Sequence, residues 1–426
     1  MLNLGLKISS WRYKQSIRRC VVMRDGRAVS NRAAQGSNTR VPPNASFVDG
    51  VATKDCIIDP ATGVAIRIFL PHHCLGVSDA AGSKGFGWLP RDHTAPGDEE
   101  SLRSSLELSD GSSVGSSNGN SDNEKLLALE EALKFSGGYF PASKQEHVKL
   151  PVIVQFHGGA FVSGSKDSSS NDVFCRRIAK ACKCIVIAVG YRLAPDNKFP
   201  APRDDGIFTL KWLAKQGNLA AFPATAVSHG IIESFGQMPA DPWISAHVDY
   251  SRCALMGIGA GGTIAEQVSQ ACVSLKLELE PLKVVSQVLI YPLLGGSTPL
   301  PSEISLADAY FLDREMLALA WSWFLPEEHL AVASSIDPRS SSRSSILSKM
   351  PSTLVISAEL DMLRDRAAAY VQALKMVSVD ASFLTYRNAV HGFATIDCFL
   401  DTKLAQACVE DIAIWFAKHV KCDYWG

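Results

Sequence analysis

Short runs of β-branched and apolar residues recur through most of this 426-residue chain and limit the folds open to it. Unbroken apolar runs are typical of strands buried on both faces, and the stretches between them have the periodicity of helices. This alternation predicts an α/β fold with a mostly parallel sheet and helices on both faces. The predicted strands are 150–156, 184–189, 252–257, 285–291, 352–357 and 382–386, and the predicted helices are 172–183, 203–216, 262–275, 363–376 and 403–420.

The first part of the chain extends this core and is then interrupted. A hairpin is predicted over 49–71, where residues 64–69 are strand-like and Pro71 closes the run. The core domain is therefore assigned to 49–71 and 150–426, with an insertion at 72–149. Nine serines lie between Ser101 and Ser121, so the segment 98–124 is predicted to be disordered, because it has too little apolar surface to offset the entropy of ordering.

Residues 1–48 form a basic N-terminal segment, with six Lys or Arg and no acidic residue among the first 24. One interpretation is an amphipathic lid helix with Leu4, Ile8, Trp11 and Ile17 on or near one stripe. The other is an organelle transit peptide, which is also rich in arginine and poor in acids. We favour the lid helix.

Composition narrows the classes of partner and compartment. The formal net charge of −1 gives no reason to expect nucleic acid or an anionic membrane, and no stretch has the roughly 18 apolar residues of a membrane span. The eleven cysteines are scattered without metal-ligand spacing, and Cys182 and Cys184 are predicted to pack in the core. We therefore expect no metal or cofactor, and a cytosolic or nuclear protein.

Two glycine-rich turns follow predicted strands. In His157-Gly158-Gly159, bare glycines let N–H groups face a cleft and hold a developing oxyanion, although the triplet alone is equally compatible with a simple turn. The turn 257–262 has the glycine spacing of a nucleophile elbow, and the N–H of Ala260 would complete the oxyanion hole. Its central residue is Gly259, where an elbow carries a nucleophile, usually serine. A phosphate cradle is the alternative, but the P-loop lysine and the dinucleotide spacing are both absent.

An acid and a base follow the last two predicted strands. Taken alone, Asp361 would more often cap a helix, and His391 would more often be an ordinary core residue. Together, an aspartate that orients a histidine, and a histidine that accepts a proton, form the acid–base half of a catalytic triad. The order elbow, acid and base is the order of α/β-hydrolases, so the combination favours that ancestry.

With these motifs the chain resembles the plant carboxylesterases of the hormone-sensitive-lipase-like group, relatives of the gibberellin receptor. The match runs from about Asp49 to the C-terminus, apart from the insertion, and includes the motifs 190–195, 200–206, 361–365 and 391–393. The resemblance implies an α/β-hydrolase fold with a small ester or carboxylic acid as ligand. It also implies a helical cap at about 300–345, whose helix would line the pocket with Met316, Trp321, Trp323 and Phe324, unless these residues pack in the core instead.

Esterases of that group carry serine where this chain has Gly259. Thr263 and Ser269 lie further along the following helix, away from the tip of the elbow. Three hypotheses follow: a non-catalytic binding protein, a weak hydrolase in which His391 activates water, or an active esterase lineage whose serine codon was altered. We favour the first.

Overall fold

The computed structural model of the chain describes residues 2–36, 39–75, 138–141, 147–221, 240–296, 298–326 and 344–420. The serine-rich segment that was predicted to be disordered lies outside these residues. The strands of the described part are β1 (Val21–Arg24), β2 (Arg27–Ser30), β3 (Val51–Asp59), β4 (Val64–Pro71), β5 (Leu150–Phe156), β6 (Ile185–Gly190), β7 (Val248–Ile258), β8 (Val284–Ile290), β9 (Ser352–Ala358) and β10 (Ala381–Tyr386).

Helices connect these strands and also lie beyond their edge. The helices of the described part are α1 (Leu2–Arg19), α2 (Arg32–Gln35), α3 (Ser169–Ala181), α4 (Ala201–Ala221), α5 (Pro242–His247), α6 (Ala260–Ser274), α7 (Pro301–Ser305), α8 (Arg314–Phe324), α9 (Ser344–Leu347), α10 (Arg364–Met376) and α11 (Lys403–His419).

Eight of the strands form one sheet, in the order β10-β9-β8-β7-β5-β6-β4-β3. All pairings from β10 to β6 are parallel, whereas β4 pairs antiparallel with both β6 and β3. The predicted hairpin over 49–71 is thus confirmed as the β3–β4 pair, and the predicted parallel sheet is confirmed. The carboxyl ends of the parallel strands share one edge, where ligands and catalytic groups gather in sheets of this kind.

Both faces of the sheet are buried, which explains why its strands are apolar without interruption. Along β5, Val152 and Val154 belong to the core on the side of α4, α6 and α10, whereas Ile153 belongs to the core under α3 and α11. Cys182 and Cys184 lie in the second core, as predicted. Full burial of one such side chain contributes about 1.5–3 kcal/mol, so this packing holds the sheet edge in place.

Helix α1 packs against the segment that leads into α8. Its Lys14 Nζ lies 2.5 Å from Asp313 Oδ2, and its Ser10 Oγ accepts a hydrogen bond from the N–H of Phe311 at 2.9 Å. The helix therefore forms, but the predicted stripe was wrong: Leu4, Ile8 and Trp11 are 63%, 44% and 60% exposed. Of that stripe only Ile17 is buried, because the tethers to the 309–315 segment turn the other face of the helix inward.

Candidate active site

The turn between β7 and α6 consists of one residue, Gly259. Its backbone has φ +53° and ψ −115°, and the helix begins immediately afterwards at Ala260. The N–H of Gly259 donates to the carbonyl of Ile290 on the neighbouring strand at 2.9 Å, and its own carbonyl accepts from Gly262. This sharp strand-to-helix turn has the form of a nucleophile elbow.

The other glycines of this turn are required by packing, whereas Gly259 is not. A Cβ atom at Gly257 would lie 2.2 Å from the carbonyl oxygen of Gly261, and one at Gly261 would lie 2.2 Å from that of Phe156. A Cβ atom at Gly259 would lie 3.6 Å from Leu293 Cδ1 and 3.8 Å from His391 Nε2, which are ordinary van der Waals distances. The elbow therefore has room for a small side chain directed at the imidazole.

Asp361 and His391 form the buried pair that the sequence suggested. Nδ1 of His391 lies 2.7 Å from Oδ2 of Asp361, and the two residues are 6% and 1% exposed. The other carboxylate oxygen of Asp361 accepts from the N–H of Leu363 at 2.9 Å, just before α10 begins. Asp361 thus serves a helix start and orients the histidine at the same time. With Nδ1–H donating to the carboxylate, Nε2 of His391 is directed toward the elbow.

Residues 157–161, which we call the oxyanion loop after their candidate role, are fixed by contacts with the residue that follows β6. The ring of Tyr191 stacks on His157 at 4.2 Å, and its hydroxyl donates to the carbonyl of His157 at 2.8 Å. Arg192 makes a bidentate pair with Asp205, which fixes the exit of β6 on the start of α4. These motif residues have structural roles, because each fixes backbone near the site.

The expected oxyanion residues Gly158, Gly159 and Ala260 come together at one cavity. In the described part of the chain, the N–H groups of Gly158 and Gly159 donate no hydrogen bond. Ala260 opens α6, so its N–H has no partner within the helix. The three N–H groups are therefore available to an oxygen atom that carries negative charge.

A cavity of about 310 Å³ connects these groups. Gly259 and His391 lie at its wall, Tyr13, Ser16 and Ile17 contribute from α1, and Met316 contributes from α8. Near the start of α3 the lining bears hydroxyl and amide groups, from Thr39, Ser163, Ser168, Ser169, Ser170 and Asn171. The cavity thus has an oxygen-binding end at the elbow and a second polar region at α3.

The expectation that three aromatic residues of α8 line the pocket was wrong. Trp321, Trp323 and Phe324 are not among the residues that surround the cavity. Phe324 instead stacks on Phe161 with ring centroids 3.8 Å apart, and Trp321 lies 5.6 Å from the same ring. These side chains join α8 to the oxyanion loop, so the core-packing alternative describes them.

Sequence reasoning named Ile17 of α1 but missed Tyr13, Ser16 and the polar region at α3. The triplet Ser168-Ser169-Ser170 stands at the start of a predicted helix, about ten residues after the oxyanion loop. Its position in the chain could have suggested a pocket wall, since short loops bring such residues back to the same sheet edge.

Within the residues that the structure describes, no group of three or more His, Cys, Asp or Glu side chains could hold a metal ion. None of the described helices is long and apolar enough to cross a lipid bilayer.

Burial of His157 gives stability a pH dependence. Desolvation lowers the pKa of His157 to about 4, below the value of about 6.5 for an unfolded chain. Above pH 6.5 both states are neutral at this residue. As the pH falls from 6.5 to 4 the unfolded state binds the proton and the folded state does not, so stability falls by up to about 1.4 kcal/mol per pH unit from this residue. We expect urea denaturation midpoints to show this loss, and the loss to be smaller in His157→Asn, whose amide nitrogen can take the place of Nδ1 without titrating. Equal slopes for the two chains would contradict the assignment.

Comparison with known proteins gives the family. The model of the α/β-hydrolase fold family matches residues 153–395. Two Arabidopsis thaliana proteins, "Probable carboxylesterase 16" and "Probable carboxylesterase 11", are 44% and 43% identical over 395 and 407 residues. These alignments cover 88% and 89% of this chain, and 87% of each relative. The Arabidopsis gibberellin receptor GID1A is 31% identical over 249 residues, which cover 57% of this chain and 63% of the receptor.

Solved structures show the same fold. Carboxyl esterase 2 of the fungus Tuber melanosporum superposes with a TM-score of 0.57 at 20% identity, over 91% of this chain and 96% of that one. An esterase of Pseudomonas putida gives a TM-score of 0.58 at 17% identity, over 97% of both chains. The sheet, the elbow and the sequence relatives together place this chain in the α/β-hydrolase family, in the hormone-sensitive-lipase-like carboxylesterase group to which the gibberellin receptors are related.

Proposed function

We propose that this chain is a small-molecule binding protein of the carboxylesterase group, which holds an ester or carboxylic acid and does not transfer its acyl group. The observation that carries the proposal is the backbone-only elbow: the residue that faces Nε2 of His391 is Gly259, which has no atom to attack a carbonyl. In a serine hydrolase, loss of the nucleophile alone costs on the order of a million-fold in turnover.

Neighbouring hydroxyl groups are poor substitutes for the missing serine. Thr263 is buried, and its Oγ1 donates to the carbonyl of Leu293 at 2.6 Å. Ser269 is buried further along α6 and is not among the residues around the cavity. Tyr291 packs its ring against His391, but burial raises the pKa of its phenol and its hydroxyl is hydrogen-bonded to Thr395. None of these groups combines access to the elbow with a basic oxygen.

The remaining groups are suited to binding. N–H groups of Gly158, Gly159 and Ala260 face the cavity and can donate to a carbonyl or carboxylate oxygen. A hydrogen bond to a charged partner contributes about 1.5–3 kcal/mol, so two or three such bonds can orient a carboxylate at this end. The hydroxyl groups near α3 can then receive further oxygen atoms of the ligand. Relatives named as gibberellin receptors support small-molecule binding as a role for this architecture.

The odd number of cysteines favours a reducing compartment, the cytosol or nucleus.

The proposal predicts binding without an acyl-enzyme. We expect the purified chain to show no burst with p-nitrophenyl acetate and no mass increase with a fluorophosphonate, since neither reagent finds a nucleophile. A panel of small carboxylic acids and esters should include compounds that raise the melting temperature. Binding must weaken when Met316, at the cavity wall, is changed to Trp, while Met376→Trp on the exposed side of α10 leaves it unchanged. A stoichiometric adduct at any cavity side chain would overturn the proposal.

A weak hydrolase is the second candidate, favoured by the open space at the elbow. The 3.8 Å between Nε2 and the position of a Cβ atom leaves room near the imidazole where a water molecule could be activated. A weak hydrolase would turn esters over slowly and without a burst. This slow turnover should disappear in His391→Ala.

A further inference from the structure

The outward side of α1 carries an apolar row that is largely exposed, with Trp11 also bordering a second cavity beside residues 308–313. Leu4, Ile8 and Trp11 are spaced by four and three residues, so they lie along one line of the helix. They are 63%, 44% and 60% exposed, whereas Ile17 on the opposite side is 3% exposed and lines the cavity. An exposed tryptophan in line with two aliphatic side chains is unusual on a surface that faces only water.

Positive charge surrounds this row. Residues 2–36 contain eight Lys or Arg and one Asp, although the whole chain has a formal net charge of −1. Lys14 and Arg18 are paired with Asp313 and Glu315 beside the cavity. The other basic residues of α1 are Lys7, Arg12 and Arg19, and all three are exposed.

Those three cations form no ion pair within the described part of the chain, and Lys7 lines a second cavity that Asp308 and Asp313 also line. At 100° per residue, Lys7 lies on one flank of the apolar row and Arg12 and Arg19 lie on the other. We define the lid patch as Leu4, Lys7, Ile8, Trp11, Arg12 and Arg19.

We propose that the lid patch binds the surface of an anionic lipid bilayer. A helix with Trp and Leu in one row and Lys or Arg on both flanks lies in the plane of the headgroups, with its apolar row at the acyl boundary. Each cation close to an anionic bilayer raises the binding constant by about fivefold. A nucleic acid would offer no apolar surface to the row. Helix α1 has 18 residues and is about 27 Å long, so its exposed side can lie along a bilayer surface over that length. The overall charge gave no indication of this, because it averages the basic lid with an acidic remainder.

Sedimentation of the full chain with sucrose-loaded vesicles tests the proposal. We expect binding to phosphatidylcholine vesicles with about 30 mol % phosphatidylserine, weak or no binding to phosphatidylcholine alone, and release by high salt. The double variant Lys7→Glu/Arg12→Glu should bind at least about tenfold more weakly. Trp11→Glu should also lose binding, because it places a charge in the apolar row.

Matched variants separate a specific surface from general stickiness. Ile414→Glu changes an aliphatic side chain on α11 that is 65% exposed, and it should bind as the natural chain does. Trp11→Phe should keep the affinity but reduce quenching of tryptophan fluorescence by brominated lipid. Absence of binding to the phosphatidylserine vesicles at millimolar lipid would overturn the proposal and leave the patch to an acidic protein. Equal binding of the natural chain and the Lys7→Glu/Arg12→Glu variant would overturn it as well.

Discussion

Gly259→Ser should give this chain rapid hydrolysis of p-nitrophenyl esters and labelling by a fluorophosphonate. The Cβ atom of the new serine fits at 3.8 Å from His391 Nε2, which leaves its hydroxyl within hydrogen-bond reach of the imidazole after rotation about χ1. Asp361 already orients that imidazole at 2.7 Å. Because the nucleophile is worth on the order of a million-fold in a serine hydrolase, we expect turnover to rise by on the order of a thousand-fold or more.

The matched control is Gly259→Ala. Alanine makes the same Cβ contacts with Leu293 and His391 but lacks the hydroxyl, so it should be neither labelled nor active. Both substitutions place a side chain at φ +53°, which costs about 1–3 kcal/mol, and similar melting temperatures for the two would confirm that the strain is shared. The double variant Gly259→Ser/His391→Ala should lose the gain. A folded Gly259→Ser chain that stays unlabelled would mean that the oxyanion groups or the acid–base pair are not in working order.

The local sequence pattern was enough to predict the sheet and to predict that the elbow, the acid and the base lie close together. Strand β5 begins and ends at the predicted residues, and α10 starts one residue later than predicted. Such agreement arises because strands buried on both faces must be apolar throughout, which leaves a clear trace in sequence. The order of Gly259, Asp361 and His391 along the chain then predicted their meeting, since the carboxyl ends of parallel strands share an edge.

Tertiary contacts decided the parts that pattern could not. Helix α1 has an apolar row and a second face containing Tyr13 and Ile17, and nothing local says which one turns inward. The choice depends on Asp313 and Phe311, about 300 residues away. The aromatic residues of α8 posed the same problem, because both a pocket and a core accept tryptophan and phenylalanine. They pack in the core because Trp321 and Phe324 contact the ring of Phe161 in the oxyanion loop.

The ion pair between Arg366 and Glu303 holds the segment after β8 to α10, and no sequence motif predicted it. Nε and Nη2 of Arg366 donate to the two carboxylate oxygens of Glu303 at 2.9 and 2.6 Å. The guanidinium also donates to the carbonyls of Gly295 and Thr298, both at 3.0 Å. The side chains of Arg366 and Glu303 are only 2% and 10% exposed. Helix α10 follows Asp361 directly, so this pair supports the acid of the candidate site.

Arg366→Met should therefore lower the free energy of unfolding by about 3–5 kcal/mol, because it removes the positive partner of the buried Glu303 carboxylate and leaves it only the hydrogen bond from the N–H of Leu300. Urea denaturation followed by circular dichroism measures this loss. Arg366→Met/Glu303→Leu should be less destabilised than the single variant, since removal of both charges leaves no uncompensated carboxylate. Glu315→Gln breaks the exposed pair with Arg18 and should change stability by less than about 1 kcal/mol. If the double variant were as unstable as Arg366→Met, the lost stability would come from the two hydrogen bonds of the guanidinium to Gly295 and Thr298. The unpaired charge of Glu303 would then cost little. The double variant thus separates the cost of an unpaired charge from the loss of the bonds that hold the backbone behind Asp361.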